Sequence, residues 1–376
     1  MQKRFLLQFR NFDVILFVST ILLVTIGLLV QYSSGITGSG VINQIDASKQ
    51  LLYVIVGLTI FLLVSRTDYR VWRSYSTFFY ILMLALLFIV AFFGATRLGA
   101  TRWINLGFFQ FQPSEFAKLA IIVFFAKYFS SIYTQSNKLK YLLVSILYLA
   151  PPVILVLAQP DLGTAMVLSL IWLVMALITR VNKLYFVAFI GVIILAVPVI
   201  MPHLATYQRQ RITTFLNPAA NPSGTGYNVN QAIIAVGSGG LLGQGLSSGS
   251  QSQGNFLPSQ HTDFVFAVLS EKLGFLGGTL TILLFSTIIV RAIFIANVSS
   301  DYFGTFLAIG IATMFAIHVG INIAMNIGLV PVTGIPLPFI SAGGTSMIIS
   351  LLSVGILESI YARRRTMTIN TKEVYE

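Results

Sequence analysis

Long apolar runs recur along this chain and are broken by short clusters of charge. Crossing the hydrocarbon core of a bilayer as a helix takes roughly 20 predominantly apolar residues. Ten stretches meet or approach that length: 13–32, 50–65, 74–93, 114–131, 141–158, 162–179, 184–201, 265–296, 302–326 and 340–361. The eighth is too long for one straight crossing, so its start is expected to lie along the membrane surface. The first apolar run, Val14–Val30, is long enough to span and lacks a small-residue cleavage site, so it reads as a spanning helix and not as a signal peptide. The pattern predicts an all-α, polytopic membrane protein of about ten transmembrane helices, forming a single domain over 1–376. Residues 202–264 form one large loop between the seventh and eighth helices, and 362–376 a short tail. Within that loop "VNQAIIAVGSGGLLG" has helical apolar spacing before a glycine stop, which predicts a short interfacial helix.

Composition supports the membrane reading. Hydrophobic residues make up 56% of the chain and charged residues 9%, against about 25% charged in soluble domains. There are no cysteines, which excludes disulfides, thiolate metal sites and Cys nucleophiles. His203, His261 and His318 lie too far apart in sequence to form a local metal motif. The net charge of +12 resembles that of a nucleic-acid binder, but its placement follows the membrane. With the N-terminus inside, 16 of the 23 Lys and Arg residues fall in inside segments, 6 outside, and Lys118 within a span. Positive residues favour the cytoplasmic side, so both termini are expected in the cytoplasm and the 202–264 loop outside. Most of the charge is then topology signal and contact with anionic lipid, and no nucleic-acid partner is expected.

Ionisable groups inside or at the edge of a membrane are costly unless paired or hydrated, and therefore point to function. Glu115 and Lys118 in "FQPSEFAKLA" are three residues apart on one helix face. They are either a structural ion pair or a charged wall of an outward cavity. Asp161 in "AQPDLGTA" is either a helix cap or a carboxylate that orients a sugar or holds a divalent cation near a pyrophosphate. Asp263 in "HTDF" is delivered to the membrane edge by the long polar loop. It is either a cap or a partly desolvated general base, and His261 beside it has the chemistry for the same work. Arg102, Arg209 and Arg211 are outer-side cations suited to phosphate or to snorkelling. "GLVPVTGIPLPFISAGGTSM" carries Pro331, Pro336, Pro338, Gly334, Gly343 and Gly344, and so cannot face lipid as a regular helix. Its backbone N–H groups with Ser341, Thr345 and Ser346 suit anionic groups. The residues fit both an enzyme acting on a lipid-linked anionic substrate and a transporter.

At these residues the chain resembles the SEDS family (shape, elongation, division, sporulation). The matching stretches are "TRWINLGFFQFQPSEFAKLA", "AQPDLGTA", "YQRQRITTFLNP", "GTGYNVNQAIIAVGSGGLLGQGL", "QSQGNFLPSQHTDFVFAVLSEKLG" and "GLVPVTGIPLPFISAGGTS", in family order over nearly the whole chain. The "QSQ" ahead of "FLP" and the "YQRQR" run resemble the elongation branch, RodA, more than the division branch, FtsW. The resemblance implies a ten-helix peptidoglycan glycosyltransferase that polymerises lipid II into β-1,4 glycan on the outer face of the cytoplasmic membrane. Its implied partners are a class B penicillin-binding protein acting as transpeptidase, other elongation-complex proteins, and undecaprenyl-pyrophosphate-linked glycan. The family's essential loop aspartate matches Asp263. Its fourth-helix glutamate and lysine match Glu115 and Lys118, and its aspartate before the sixth helix matches Asp161. Ser259-Gln260, Glu271-Lys272 and Ala342 depart from the family pattern, and the first two remove negative charge expected near Asp263. The implied chemistry is an inverting displacement with Asp263 as base and outer cations, or a Mg2+ or Mn2+ ion held by Asp161, at the leaving pyrophosphate. The competing readings are a lipid II flippase, an FtsW-type division polymerase and a non-catalytic scaffold.

Overall fold

A computed structural model of the chain describes residues 12–34, 44–97, 100–105, 110–133, 139–187, 191, 209, 211, 213–215, 225–254, 256–257 and 259–364. Nine of the ten predicted spanning segments are helices: α1 (Val14–Ser34), α2 (Gln44–Arg66), α3 (Arg70–Phe93), α4 (Pro113–Ile132), α5 (Leu139–Ala158), α6 (Leu162–Leu177), α9 (Val265–Val298), α10 (Tyr302–Asn326) and α11 (Gly344–Ala362). The predicted span at 184–201 is helical at 183–187 and otherwise lies mostly outside the described residues. Seven of the nine are long and apolar enough to cross a membrane by themselves. Of the other two, α6 is short at 16 residues, and α4 carries Glu115, Lys118 and Lys127.

The described part of the large loop includes two short helices, α7 (Thr225–Ser238) and α8 (Ser250–Gln253). The first is the helix predicted from apolar spacing, and it ends at the expected glycine pair. An element absent from the sequence reading lies between α3 and α4. Strands β1 (Ala95–Arg97), β2 (Ala100–Asn105) and β3 (Gln110–Phe111) form a small antiparallel sheet in the order β1-β2-β3. Trp103 pairs with Ala95 and Ile104 with Phe111.

The bundle centres on α4, α6 and α10, which pack against one another, with α9 against α10 and α1, and α11 against α2. Small residues allow close helix contact, as in other membrane bundles. At Gly57 a Cβ would stand 2.5 Å from a Leu351 methyl, and at Gly355 it would stand 3.0 Å from the Phe61 carbonyl.

The long eighth span, for which a surface-lying start is expected, is broken within α9. Gly274 has φ 69° and ψ −167°, backbone that is essentially restricted to glycine. The break frees carbonyl groups, and the loop after α7 takes them up. Gln244 donates its backbone N–H to the Glu271 carbonyl at 2.9 Å and Gly245 to that of Lys272 at 3.1 Å, while Phe275 donates to the Gly240 carbonyl at 2.8 Å. Glu271 and Lys272, both buried, complete the join. Glu271 accepts the backbone N–H groups of Gln251 at 2.8 Å and Ser252 at 3.1 Å, anchoring α8. Lys272 donates to Ser33 Oγ at 2.6 Å and to the Leu246 carbonyl at 3.1 Å. These two charges, conspicuous in an apolar sequence, fasten the large loop to α9 and α1.

Candidate active site

The non-helical segment 331–343 runs between α10 and α11. Pro331, Pro336 and Pro338 supply no backbone donor, which delays α11 to Gly344, later than the predicted start at 340. Side chains from neighbouring elements satisfy the segment. Ser341 Oγ accepts from Leu337 N at 2.8 Å and donates to the Thr262 carbonyl at 2.7 Å. Ala342 N donates to the His261 carbonyl at 2.8 Å, and Gln31 Nε2 donates to the same oxygen at 2.9 Å. His261 Nδ1 lies 3.2 Å from Gln31 Oε1. His261 and Ser341 thus hold the turn that precedes α9. The Ser341 hydroxyl is spent on backbone partners, so the anion-binding role expected of it does not follow. Ser346 is buried in the first turn of α11.

The turn that precedes α9 carries Asp263. Its backbone carbonyl accepts from Asn322 Nδ2 and Asn326 Nδ2, each at 3.1 Å. Asn326 Oδ1 accepts the N–H of Ala267 at 3.0 Å, so a neighbouring helix caps α9 and Asp263 does not. The carboxylate is thus not engaged in capping α9. It keeps some solvent contact but sits in a dense surround, and burial pushes its pKa up. A hydrogen bond with Thr262 and the charges of Arg211 and Arg102 oppose that rise, and Asp161 adds to it. Gly334, at φ 75°, borders the carboxylate, since a Cβ there would lie 3.7 Å from Asp263 Oδ2.

The same segment joins Asp263 to Asp161. A Cβ on Gly163 would meet the Thr333 carbonyl at 2.7 Å, so α6 starts directly against residues 333–335. Asp161 caps α6, with Oδ1 accepting from Thr164 N at 3.1 Å and Oδ2 from Thr164 Oγ1 at 2.9 Å. Arg102, presented by β2, places its guanidinium 3.7 Å from Asp161 Oδ1 and donates to the Gln159 carbonyl at 3.4 Å and to that of Pro160. Asp161 is therefore a helix cap that also pairs with the Arg102 guanidinium.

Arg211 is half-buried and contributes to the field at Asp263, whereas Arg209 is exposed. Positions two apart on a helical turn do not share a face, which separates the pair. A recess runs from Arg211 and Asn230 to the apolar side chains of Val229, Ile233 and Val332.

Glu115 and Lys118 do not form a wall open to the outside. Lys118 is 2% exposed and Glu115 4%, with Nζ 2.6 Å from Glu115 Oε1. Lys118 Nζ also lies 3.0 Å from His318 Nε2. The pair is an interior structure beneath the 331–343 segment.

For a divalent cation the donor set is two aspartates, one of them committed to Thr164 and Arg102. No group of three His, Asp or Glu gathers among the described residues. This set does not fit a resident metal.

His318, Asn322 and Asn326 were not reached by sequence reasoning. The two asparagines carry a signal, amides four residues apart within an apolar helix. His318 carries none, because its partner Lys118 is 200 residues away.

Comparison with known proteins gives a consistent set of likenesses. Residues 13–366 match the FtsW/RodA/SpoVE family, described as "Cell cycle protein". Stage V sporulation protein E of Bacillus subtilis is 40% identical, with 93% of this chain and 96% of that protein aligned. Peptidoglycan glycosyltransferase MrdB of Escherichia coli K12 is 36% identical over 93% of this chain and 94% of its own. A solved peptidoglycan synthase complex that coordinates polymerization and crosslinking contains a chain of the same fold. Its TM-score is 0.78 at 25% identity, covering 93% of this chain and 97% of that one.

Proposed function

Because the chain belongs to the FtsW/RodA/SpoVE family, we propose that it polymerises lipid II into β-1,4 glycan strands with Asp263 as the general base. It is a multi-pass membrane protein and a peptidoglycan glycosyltransferase. The observation that carries the assignment of the base is the setting of Asp263. Its helix is capped by Asn326, its backbone is clamped, and its carboxylate faces two arginines and a second aspartate.

The 4-hydroxyl of the acceptor sugar attacks the anomeric carbon of the donor. Asp263 takes the hydroxyl proton as the new C–O bond forms. The bond to undecaprenyl pyrophosphate breaks, and the leaving group departs with the electron pair. One displacement on an α-linked donor gives the β product. A second carboxylate acting as nucleophile, as in retaining glycosidases, is not required. A base raised toward neutrality by burial is better matched to this transfer than an ordinary carboxylate. Arg211 and Arg102 are the cations placed to meet the developing pyrophosphate charge, with Asp161 holding Arg102. No step uses a metal ion.

The reaction is assigned to the outer face of the cytoplasmic membrane, with both chain termini in the cytoplasm. The positive-inside distribution supports this placement. A class B penicillin-binding protein is the proposed transpeptidase partner, in keeping with the likeness to a polymerising and crosslinking complex. The elongation role rests on the "QSQ" and "YQRQR" motifs.

The test is incubation of the purified protein and its cognate transpeptidase with lipid II, followed by gel analysis of glycan. A ladder of polymer is expected. Lipid II translocated across vesicles without any polymer would support a flippase instead.

A further inference from the structure

His318 lies outside the chemistry derived above, yet it links the buried charges of α4 to the segment beside Asp263. It is 3% exposed and has two polar partners, Lys118 Nζ at 3.0 Å from Nε2 and the Pro336 carbonyl oxygen at 3.0 Å from Nδ1. These partners fix its proton. A carbonyl oxygen only accepts, so Nδ1 carries the hydrogen. An ammonium only donates, so Nε2 presents its lone pair. Glu115 Oε1, 2.6 Å from the same ammonium, balances its charge. The ring is therefore the neutral Nδ1–H tautomer, and a second ring proton would set two cations against each other.

The far end of the bridge is the segment that borders Asp263. Pro336 stands two residues from Gly334, which borders Asp263 Oδ2. Asn322, one turn along α10 from His318, donates to the Ile335 carbonyl at 2.8 Å and to that of Asp263 at 3.1 Å. His318 and Asn322 thus hold two consecutive carbonyls of a segment whose prolines at 336 and 338 cannot donate.

We infer that His318, bridging the Lys118 ammonium to the Pro336 carbonyl, is a positioning residue that sets the Gly334–Pro336 wall against Asp263 for the transfer step. This rests on the reading of Asp263 as the base. A displacement of about 1 Å at a reacting group can cost ~100-fold in rate, so loss of one of the two carbonyl contacts that hold this wall is expected to lower kcat.

The test compares His318→Gln, His318→Asn and His318→Leu, each purified with the cognate transpeptidase and assayed on lipid II. Glutamine can accept from Lys118 through Oε1 and donate to Pro336 through Nε2. Asparagine carries the same amide one methylene short, and leucine has neither group. The glutamine variant is expected to keep kcat within about threefold of the parent. The asparagine and leucine variants are expected to lose roughly 10–100-fold in kcat with little change in KM, the pattern of an interaction that matters for reaction and not for binding. A merely structural role would lower the yield of folded protein and leave kcat per folded molecule unchanged.

Parental kcat in a folded leucine or asparagine variant would overturn the inference, as would a glutamine variant as impaired as leucine. If leucine prevents folding, the glutamine and asparagine pair still decides, because equal kcat in the two contradicts the bridge. An inactive parent would overturn the polymerase reading and this inference with it. An active parent with an active leucine variant overturns the positioning role alone.

Discussion

At the scale of single residues, the account depends on which polar groups are spent and which are free. Asp161 is spent on Thr164 and Arg102, Ser341 on backbone, and Glu271 on the amides of α8. Asp263 is relieved of capping because Asn326 takes that duty. Its raised pKa has a signed consequence. The base must be ionised to accept a proton, so activity is present above the raised value and lost as pH falls through it. The acid limb of the kcat/KM profile, which reports the free enzyme, should therefore lie above the ordinary carboxylate value of about 4. Replacing Arg211 with Gln should push it higher, since one opposing positive charge is gone. A limb that stays put in Arg211→Gln, measured on folded protein, would count against the shared field. The acidic candidates were legible because carboxylates are rare in an apolar chain. The sequence could not tell Arg211 from Arg209, or show that Lys118 meets His318, because both depend on packing across the bundle.

At the scale of elements, periodicity located the helices closely, since a spanning segment must satisfy its own backbone in lipid. It erred where local chemistry overrides apolarity. Prolines at 336 and 338 move the start of α11 to Gly344, and the small sheet between α3 and α4 pairs a six-residue strand with two of three and two residues, in a segment without apolar alternation. Length alone marks the eighth span as unusual and predicts a surface-lying start, whereas the structure shows a break within α9 at Gly274. A Cβ there would lie 2.3 Å from the Gly243 nitrogen, in backbone that costs ~1–3 kcal/mol for other residues. Gly274→Ala should lower the melting temperature of the purified protein and expose the 239–245 turn to proteolysis. An alanine variant with parental melting and cleavage would show that the loop is not held by this break.

At the scale of the whole molecule, the charge count proposes one orientation in the membrane. The large loop, Asp263 and Arg102 share one side, and the basic C-terminal end of α11 lies at the other end of its helix. Ser248 is exposed in that loop, and the chain has no native cysteine. Ser248→Cys should be labelled by an impermeant thiol reagent on intact spheroplasts, whereas labelling only after lysis would reverse the orientation. The central claim is that the assembled bundle serves one proton acceptor. The most direct test is polymerisation of lipid II by purified Asp263→Asn with its transpeptidase. Asparagine preserves size and shape but cannot serve as the base, and a general base contributes ~10²–10⁴-fold. The variant should melt like the parent, bind lipid II and make almost no glycan, while near-parental glycan from a folded Asp263→Asn protein would contradict the account.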